Sequence, residues 1–270
     1  GKSFSINASS IIAKQNGFTT YGIAPTNKVK ADLGTTDIGK DNAFTVQAFN
    51  IGIQNNKIHL DEKSIVFLDE SSMVDTRTFH DLMQNIDRTG AKLVLIGDSN
   101  QISAVGAGQT LTEYLQDSEI TKHKENFAIL DEITRQKDSV SLEIAKSTSL
   151  ANVYRNGNVD ELKESGEHIK KAFQLLEDNG RMHLCETSEQ KLNMLVHDYM
   201  ADDKPCNEKL ALASLNKSVD AINTAIQDER LKKGQLSEQS LSNGDKDFHV
   251  GDRIILKENI KDKEQGYSNG

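Results

Sequence analysis

The chain has 270 residues, 36% of them hydrophobic, and a formal net charge of −9. That length holds one large domain or two of ordinary size, and the mixed composition is that of a soluble globular protein. No apolar run reaches the roughly 20 residues of a membrane helix, no targeting signal opens the chain, and two cysteines, Cys185 and Cys206, build neither a disulfide framework nor a metal site; free thiols in a reducing, cytoplasmic compartment are expected.

The acidic total speaks against a nucleic-acid partner, because phosphate binding needs positive charge. Its distribution weakens that objection. Residues 1–60 carry six lysines and three aspartates, with no arginine or glutamate, a net +3. The acidic excess lies wholly after residue 60. The seven histidines are scattered, none at ligand spacing from a cysteine or another histidine, and they read as structural or surface residues.

Gly1-Lys2-Ser3 spells the last third of the phosphate-binding loop G-x-x-x-x-G-K-[ST]. Ile6, Ile11 and Ile12 mark the apolar side of a helix ending near Gly17, and Thr19–Ala24 reads as a strand. In that context Lys2 reaches the β and γ phosphates of a nucleotide, and the Ser3 hydroxyl ligates Mg²⁺. The competing reading is a cloning remnant that happens to spell the tripeptide. The loop's first half and the strand that normally precedes it are not in the sequence. The expectation is therefore a fragment of a longer polypeptide, inactive alone as an ATP hydrolase.

After the strand, Pro25 stops the ladder, and Thr26 or Asn27 can cap a helix over Lys28–Leu33. A polar turn carrying Lys28 and Lys30 suits a phosphodiester backbone; it also suits an ordinary strand-to-helix turn. Thr45–Phe49 is a short apolar-polar stretch before a polar loop at 54–63.

Ser64–Leu68 and Lys92–Ile96 are two apolar, β-branched runs. Between them Met73, Phe79, Leu82, Met83 and Ile86 recur at helical spacing, so strand, helix and strand form a parallel crossover. Asp69-Glu70 closes the first strand and Gly97-Asp98-Ser99-Asn100-Gln101 the second, at the strand ends where open α/β sheets place ligands. Two acids ending a buried strand are costly without a task. In a nucleoside triphosphatase one carboxylate serves the magnesium shell and its neighbour polarises the attacking water. The plainer reading has them capping the next helix, with Ser71 and Ser72 as N-cap candidates.

The 138–180 stretch is expected to be helical, closed by Gly180 in the left-handed conformation. Strands are expected over Arg181–Cys185, Lys209–Leu215 and 250–256, helices over Glu189–Met200 and Val219–Leu231, and a loop over Ser237–Asp247. The charged tail after 256 reads as a hairpin edge or a frayed end.

Taken together, GKS, APTNK, TVQAF, FLDESSM, GDSNQISAVGAG and LDEITRQ resemble, in order and approximate spacing, the motifs of superfamily 1 DNA helicases of the RecD-like branch. The helicase region of conjugative (plasmid transfer) relaxase–helicases is the most similar. ALASLN with Val219, Asp220 and Asn223, then Gly251-Asp252-Arg253-Ile254, resemble the start of that family's second motor domain. The resemblance implies an α/β, P-loop, RecA-like parallel sheet with helices on both faces over 1–136, a helical connection over 137–180, and part of a second RecA-like domain over 181–270. It implies ATP and Mg²⁺ as cofactors. Gly1, Lys2 and Ser3 would bind nucleotide, Ser3 and Asp69 would hold the metal, and Glu70 would be the general base. Gln101 would sense the γ-phosphate, and Arg135 would reach it from the domain junction, although on residue type alone Arg135 is equally a surface cation. Pro25, Thr26, Asn27, Lys28 and Gln47 would face single-stranded DNA.

The function implied is ATP-dependent translocation on single-stranded DNA in conjugative transfer, within a longer polypeptide that can include a relaxase domain. A degenerate helicase-like module that holds single-stranded DNA without hydrolysing ATP is the alternative. It would be expected to lose some of GKS, DE, Gln101 and Arg135, all of which are present. A small-molecule kinase would not need GDSNQ.

Overall fold

The computed structural model describes residues 2–99, 101–130, 132–134, 136–151, 159–244 and 246–255. The chain divides into two compact units, one running through Ala172 and one beginning at Phe173.

The first unit is built on four parallel strands: β1 (Thr19–Ala24), β2 (Ala43–Thr45), β3 (Ser64–Leu68) and β4 (Lys92–Leu95), in spatial order β2-β1-β3-β4. Successive side chains on a strand point to opposite faces, and β3 follows that rule. Val66 and Leu68 pack with Val46 and Phe49 of α3 (Val46–Gln54) and with Phe79, Leu82 and Ile86 of α4 (Thr76–Thr89). Ile65 and Phe67 face the other way, toward Ile6 of α1 (Lys2–Gln15) and Leu33 of α2 (Asn27–Gly34). Helices thus cover both faces, as a parallel sheet requires, and the expected α/β architecture is present in this unit. Gly22 of β1 is a packing glycine: a Cβ there would stand 2.9 Å from Ile38 Cδ1.

Local signals explain the helix starts. Thr26 caps α2 by accepting the Val29 N–H, and Thr45 caps α3 by accepting the Ala48 N–H. The stretch around Thr45–Phe49 therefore resolves into the end of β2 and the first turns of α3. Downstream lie α5 (Thr110–Gln116), α6 (Ser118–Thr121), α7 (Ser139–Leu150) and α8 (Val159–Asp178), followed by Gly180 at φ +62°.

One boundary differs from expectation. The helix after β3 begins at Thr76, and Met73 belongs to a single 3₁₀ turn over Ser71–Met73. Asp75 is the cap: its carboxylate accepts the Thr78 N–H at 3.0 Å and the Thr78 hydroxyl at 2.8 Å. Neither Ser71 nor Ser72 caps it.

The second unit holds α9 (Ser188–Ala201), opened by a capping box of Thr187 and Gln190, and α10 (Asn216–Lys232), which packs on α9. The expected strands over 181–185, 209–215 and the described part of 250–256 are not formed. A strand exists only where a neighbour supplies its ladder, and none of these three finds one among the described residues. Their apolar side chains stay outside, with Leu212 79% exposed. Conversely, the expected loop over 237–247 overlaps an antiparallel hairpin, β5 (Ser240–Asn243) paired with β6 (Lys246–His249), and Gly244, next after β5, has φ +65°. Gly followed by Asp is a hairpin signal. The tail after 255 lies outside the described residues.

Phe49 sits at the centre of the first unit. It is fully buried, with its ring 5.6 Å from that of Tyr21 and 5.8 Å from that of Phe44. Phe49→Ala should cost about 3–5 kcal/mol of unfolding free energy in a urea titration. A loss below about 1 kcal/mol would mean that this ring is not the core's anchor.

Candidate active site

All four strands of the first unit run the same way, so their C-terminal ends form one edge. The register aligns it: Ala24 lies opposite Thr45, Ile23 opposite Leu68, and Leu68 opposite Leu95. Read across the sheet, that edge carries Val46-Gln47, then Pro25–Lys28, then Asp69-Glu70, then the turn from Ile96 to Gln101. Motifs scattered over some hundred residues are thereby brought into one row, with Gln101 following the strand next to the one that ends in Asp69-Glu70.

Lys2 reaches this row from the start of α1. Its Nζ lies 3.0 Å from Glu70 Oε1, and both side chains are about one-fifth exposed. Ser3, the next residue, is exposed. Gly1 lies outside the described residues.

Asp69 is buried. Its N–H extends the ladder to the Ile23 carbonyl at 2.9 Å, and its Oδ1 accepts the Glu70 N–H at 2.9 Å. Burial pushes the carboxyl above its ordinary value, and the Glu70 and Asp32 charges push the same way. The Glu70 N–H and the Lys2 ammonium oppose them without reversing the shift. Glu70 itself has φ +50°, a left-handed conformation that is uncommon for a residue with a side chain. Behind it the hydroxyls of Ser71 and Ser72 are buried without a hydrogen-bond partner. Asp75, five residues after Glu70, caps α4; neither Asp69 nor Glu70 does.

Gln101 is exposed, and its Nε2 donates to Asp98 Oδ2 at 3.1 Å within its own turn. Of the candidate DNA-facing residues, Lys28 and Gln47 are exposed at neighbouring strand ends, whereas Pro25, Thr26 and Asn27 are half-buried. The Thr26 hydroxyl is already engaged as the α2 cap. Arg135 lies outside the described residues. The sequence reading did not single out Asp75, which the loop after Gln101 packs against. An Asp just before the helical period of α4 was the available signal.

The donor set fits a hydrated magnesium ion. The Ser3 hydroxyl and the Asp69 carboxylate are hard oxygen donors, and Mg²⁺ takes most of its shell from water and phosphate. It needs no dense protein cage, and no group of three or more His, Cys, Asp or Glu side chains forms one among the described residues. Cys185 and Cys206 are free thiols. No helix among the described residues is long and apolar enough to cross a membrane.

A family model described as an AAA domain matches residues 1–187. The chain is 24% identical over 222 residues to a conjugal transfer protein TraA of Agrobacterium fabrum (strain C58 / ATCC 33970). It is 25% identical over 222 residues to a probable conjugal transfer protein TraA of Sinorhizobium fredii (strain NBRC 101917 / NGR234). Each match covers 80% of this chain and 18% of the relative, so the chain spans less than a fifth of the length of these proteins.

The raised carboxyl of Asp69 has a measurable sign. The folded state holds that proton to higher pH than the unfolded chain, whose ordinary value is 3.8. As pH rises above that value the unfolded chain ionises first, and stability falls until the folded group has ionised too. Asp69→Asn cannot ionise and keeps an oxygen for the Glu70 N–H. Its Tm should exceed that of the unchanged chain at neutral pH, with the gap closing on acidification below 3.8. Thermal melts across pH decide this, and a variant no more stable at neutral pH would contradict it.

Proposed function

The chain belongs to the AAA-domain family of RecD-like helicases, and from that premise we propose that it is part of an ATP-driven motor that moves along single-stranded DNA. Its setting is conjugative DNA transfer. The relatives named above are conjugal transfer proteins that extend far beyond the matched share, which supports a longer polypeptide whose other parts can include a relaxase domain.

The observation that carries the reading is the ion pair between Lys2 and Glu70 at 3.0 Å. While the pair stands, Glu70 Oε1 is taken up by the Lys2 ammonium and is not offered to a water. Lys2 has three donors and no acceptor, so it moves readily to the β and γ phosphate oxygens of ATP. Glu70 is then released to take a proton from the attacking water, as general bases in phosphoryl transfer do. Ser3 and Asp69 supply the protein oxygens for Mg²⁺, which when bound neutralises phosphate charge. Gln101 orients the γ-phosphate or the water through its amide, and Arg135 adds positive charge as the transition state forms. Pro25–Lys28 and Gln47 line the same edge, where single-stranded DNA would cross.

Three variants of the intact parent test these roles. Glu70→Gln should bind nucleotide and DNA normally and lose on the order of 10²–10⁴-fold in turnover. Lys2→Ala should weaken nucleotide binding as well. Gln101→Ala should lower DNA-stimulated hydrolysis far more than nucleotide affinity. Near-normal turnover in Glu70→Gln would remove its role as base, and stimulation surviving unchanged in Gln101→Ala would reduce Gln101 to a turn residue.

A further inference from the structure

The loop that follows Gln101 does not hang free. Between Ala104 and Gly108 it lies against Ser71–Thr76, the segment that follows Glu70. The Ala104 N–H donates to the Ser72 carbonyl and the Thr76 N–H to the Ala107 carbonyl, each at 3.1 Å. On the strand side of Gln101, the Ser71 N–H donates to the Ile96 carbonyl at 2.9 Å. The turn bearing Gln101 is thus fastened to the Glu70 segment both before and after it.

The fastening leaves no space for side chains. A Cβ on Gly97 would stand 2.7 Å from Ser71 Oγ, one on Gly106 2.7 Å from Asp75 Cβ and 3.1 Å from its Cγ, and one on Gly108 would collide with Thr76 Oγ1. Asp75 has little freedom to yield. Both its carboxylate oxygens are engaged by Thr78 as the cap of α4, and the atom in the way is its Cβ, which moves only with the backbone. Among the described residues, the Gln101 side chain is held only within its turn, where its amide reaches Asp98.

We infer that Gly106 is a positioning residue: its lack of a side chain lets the loop close on Asp75, so that the Ala104–Ser72 and Thr76–Ala107 backbone hydrogen bonds hold the Gln101 turn in fixed relation to Glu70. The two residues then act as one rigid piece: when Glu70 shifts on leaving Lys2, the Gln101 turn is carried with it. This rests on the roles given to Glu70 and Gln101 above. Coupling of this kind needs a continuous, stiff connection, and the clamp supplies one through backbone contacts alone.

The test uses the intact parent with Gly106→Ala, Asp75→Gly and the two combined. Gly106 has no positive φ, so alanine there meets the clash and little backbone strain. Glycine is a tolerable N-cap, a few tenths of a kcal/mol short of aspartate. The double variant therefore returns the missing space from the other side. Gly106→Ala should keep nucleotide KM and DNA-free turnover while stimulation by single-stranded DNA falls about ten-fold. Asp75→Gly alone should retain most stimulation, and the double variant should recover it. Amide hydrogen exchange at Ala104 and Thr76 should be slow in the unchanged protein and faster in Gly106→Ala. Full stimulation in Gly106→Ala, or a double variant no better than the single, would overturn the clamp. So would fast exchange at both amides in a protein that DNA does stimulate. Turnover of the unchanged protein that ignores single-stranded DNA would sink the motor reading, and the role of Gly106 with it.

Discussion

The half-buried ion pair between Lys2 and Glu70 joins two residues 68 positions apart, and much of the first unit exists to make it possible. Lys2 arrives only because α1 docks on the sheet through Ile6, which packs with Phe67 and Ala24. Glu70 arrives only because β3 lies in the middle of the sheet, paired on both sides, and delivers its last residues to the edge. The pair also accounts for a local oddity. A left-handed backbone at Glu70 is unfavourable by itself, and the ammonium of Lys2 is one of the contacts that hold the side chain so turned.

The same edge concentrates cost. Asp69 is buried with a carboxyl that burial drives toward its neutral form, and two serine hydroxyls just beyond it have no partner. Each is a penalty that the core behind must cover. That core is well suited to do so: Val66, Leu68 and Leu82 are essentially inaccessible, and α3 and α4 meet through the buried Asn50–Asn85 hydrogen bond as well as through apolar contact.

Much of this was legible in the sequence, and the reason is physical. Buried parallel strands are apolar on both faces, so β3 reads as a continuous apolar run, and both β1 and β3 have the bounds expected of them. Polar residues just after such runs fall on one edge, which put Asp69, Glu70 and Gln101 at strand ends of one sheet; that their two strands are neighbours is a finding of the structure. The start of α4 was misread because Met73 fits the apolar period although Glu70 turns left-handed and Asp75 takes the cap. In the second unit strands were expected over 181–185 and, as a buried strand, over 209–215, but a short apolar stretch cannot supply its own ladder partner. The hairpin at 240–249 went unseen for the opposite reason: its side chains are mostly polar, and only Gly244 announced it. The direct pairing of Lys2 with Glu70 was also not legible, since motif logic assigns the lysine to phosphate and says nothing of its partner when no phosphate is present.

In the mechanism proposed here this lysine changes partners. The most direct measurement is a structure of the intact polypeptide with Mg²⁺ and a non-hydrolysable ATP analogue. There Lys2 Nζ should leave Glu70 Oε1, now 3.0 Å away, and engage the β and γ phosphate oxygens, with Glu70 freed toward the attacking side. An analogue bound while the Lys2–Glu70 pair stays intact would contradict it.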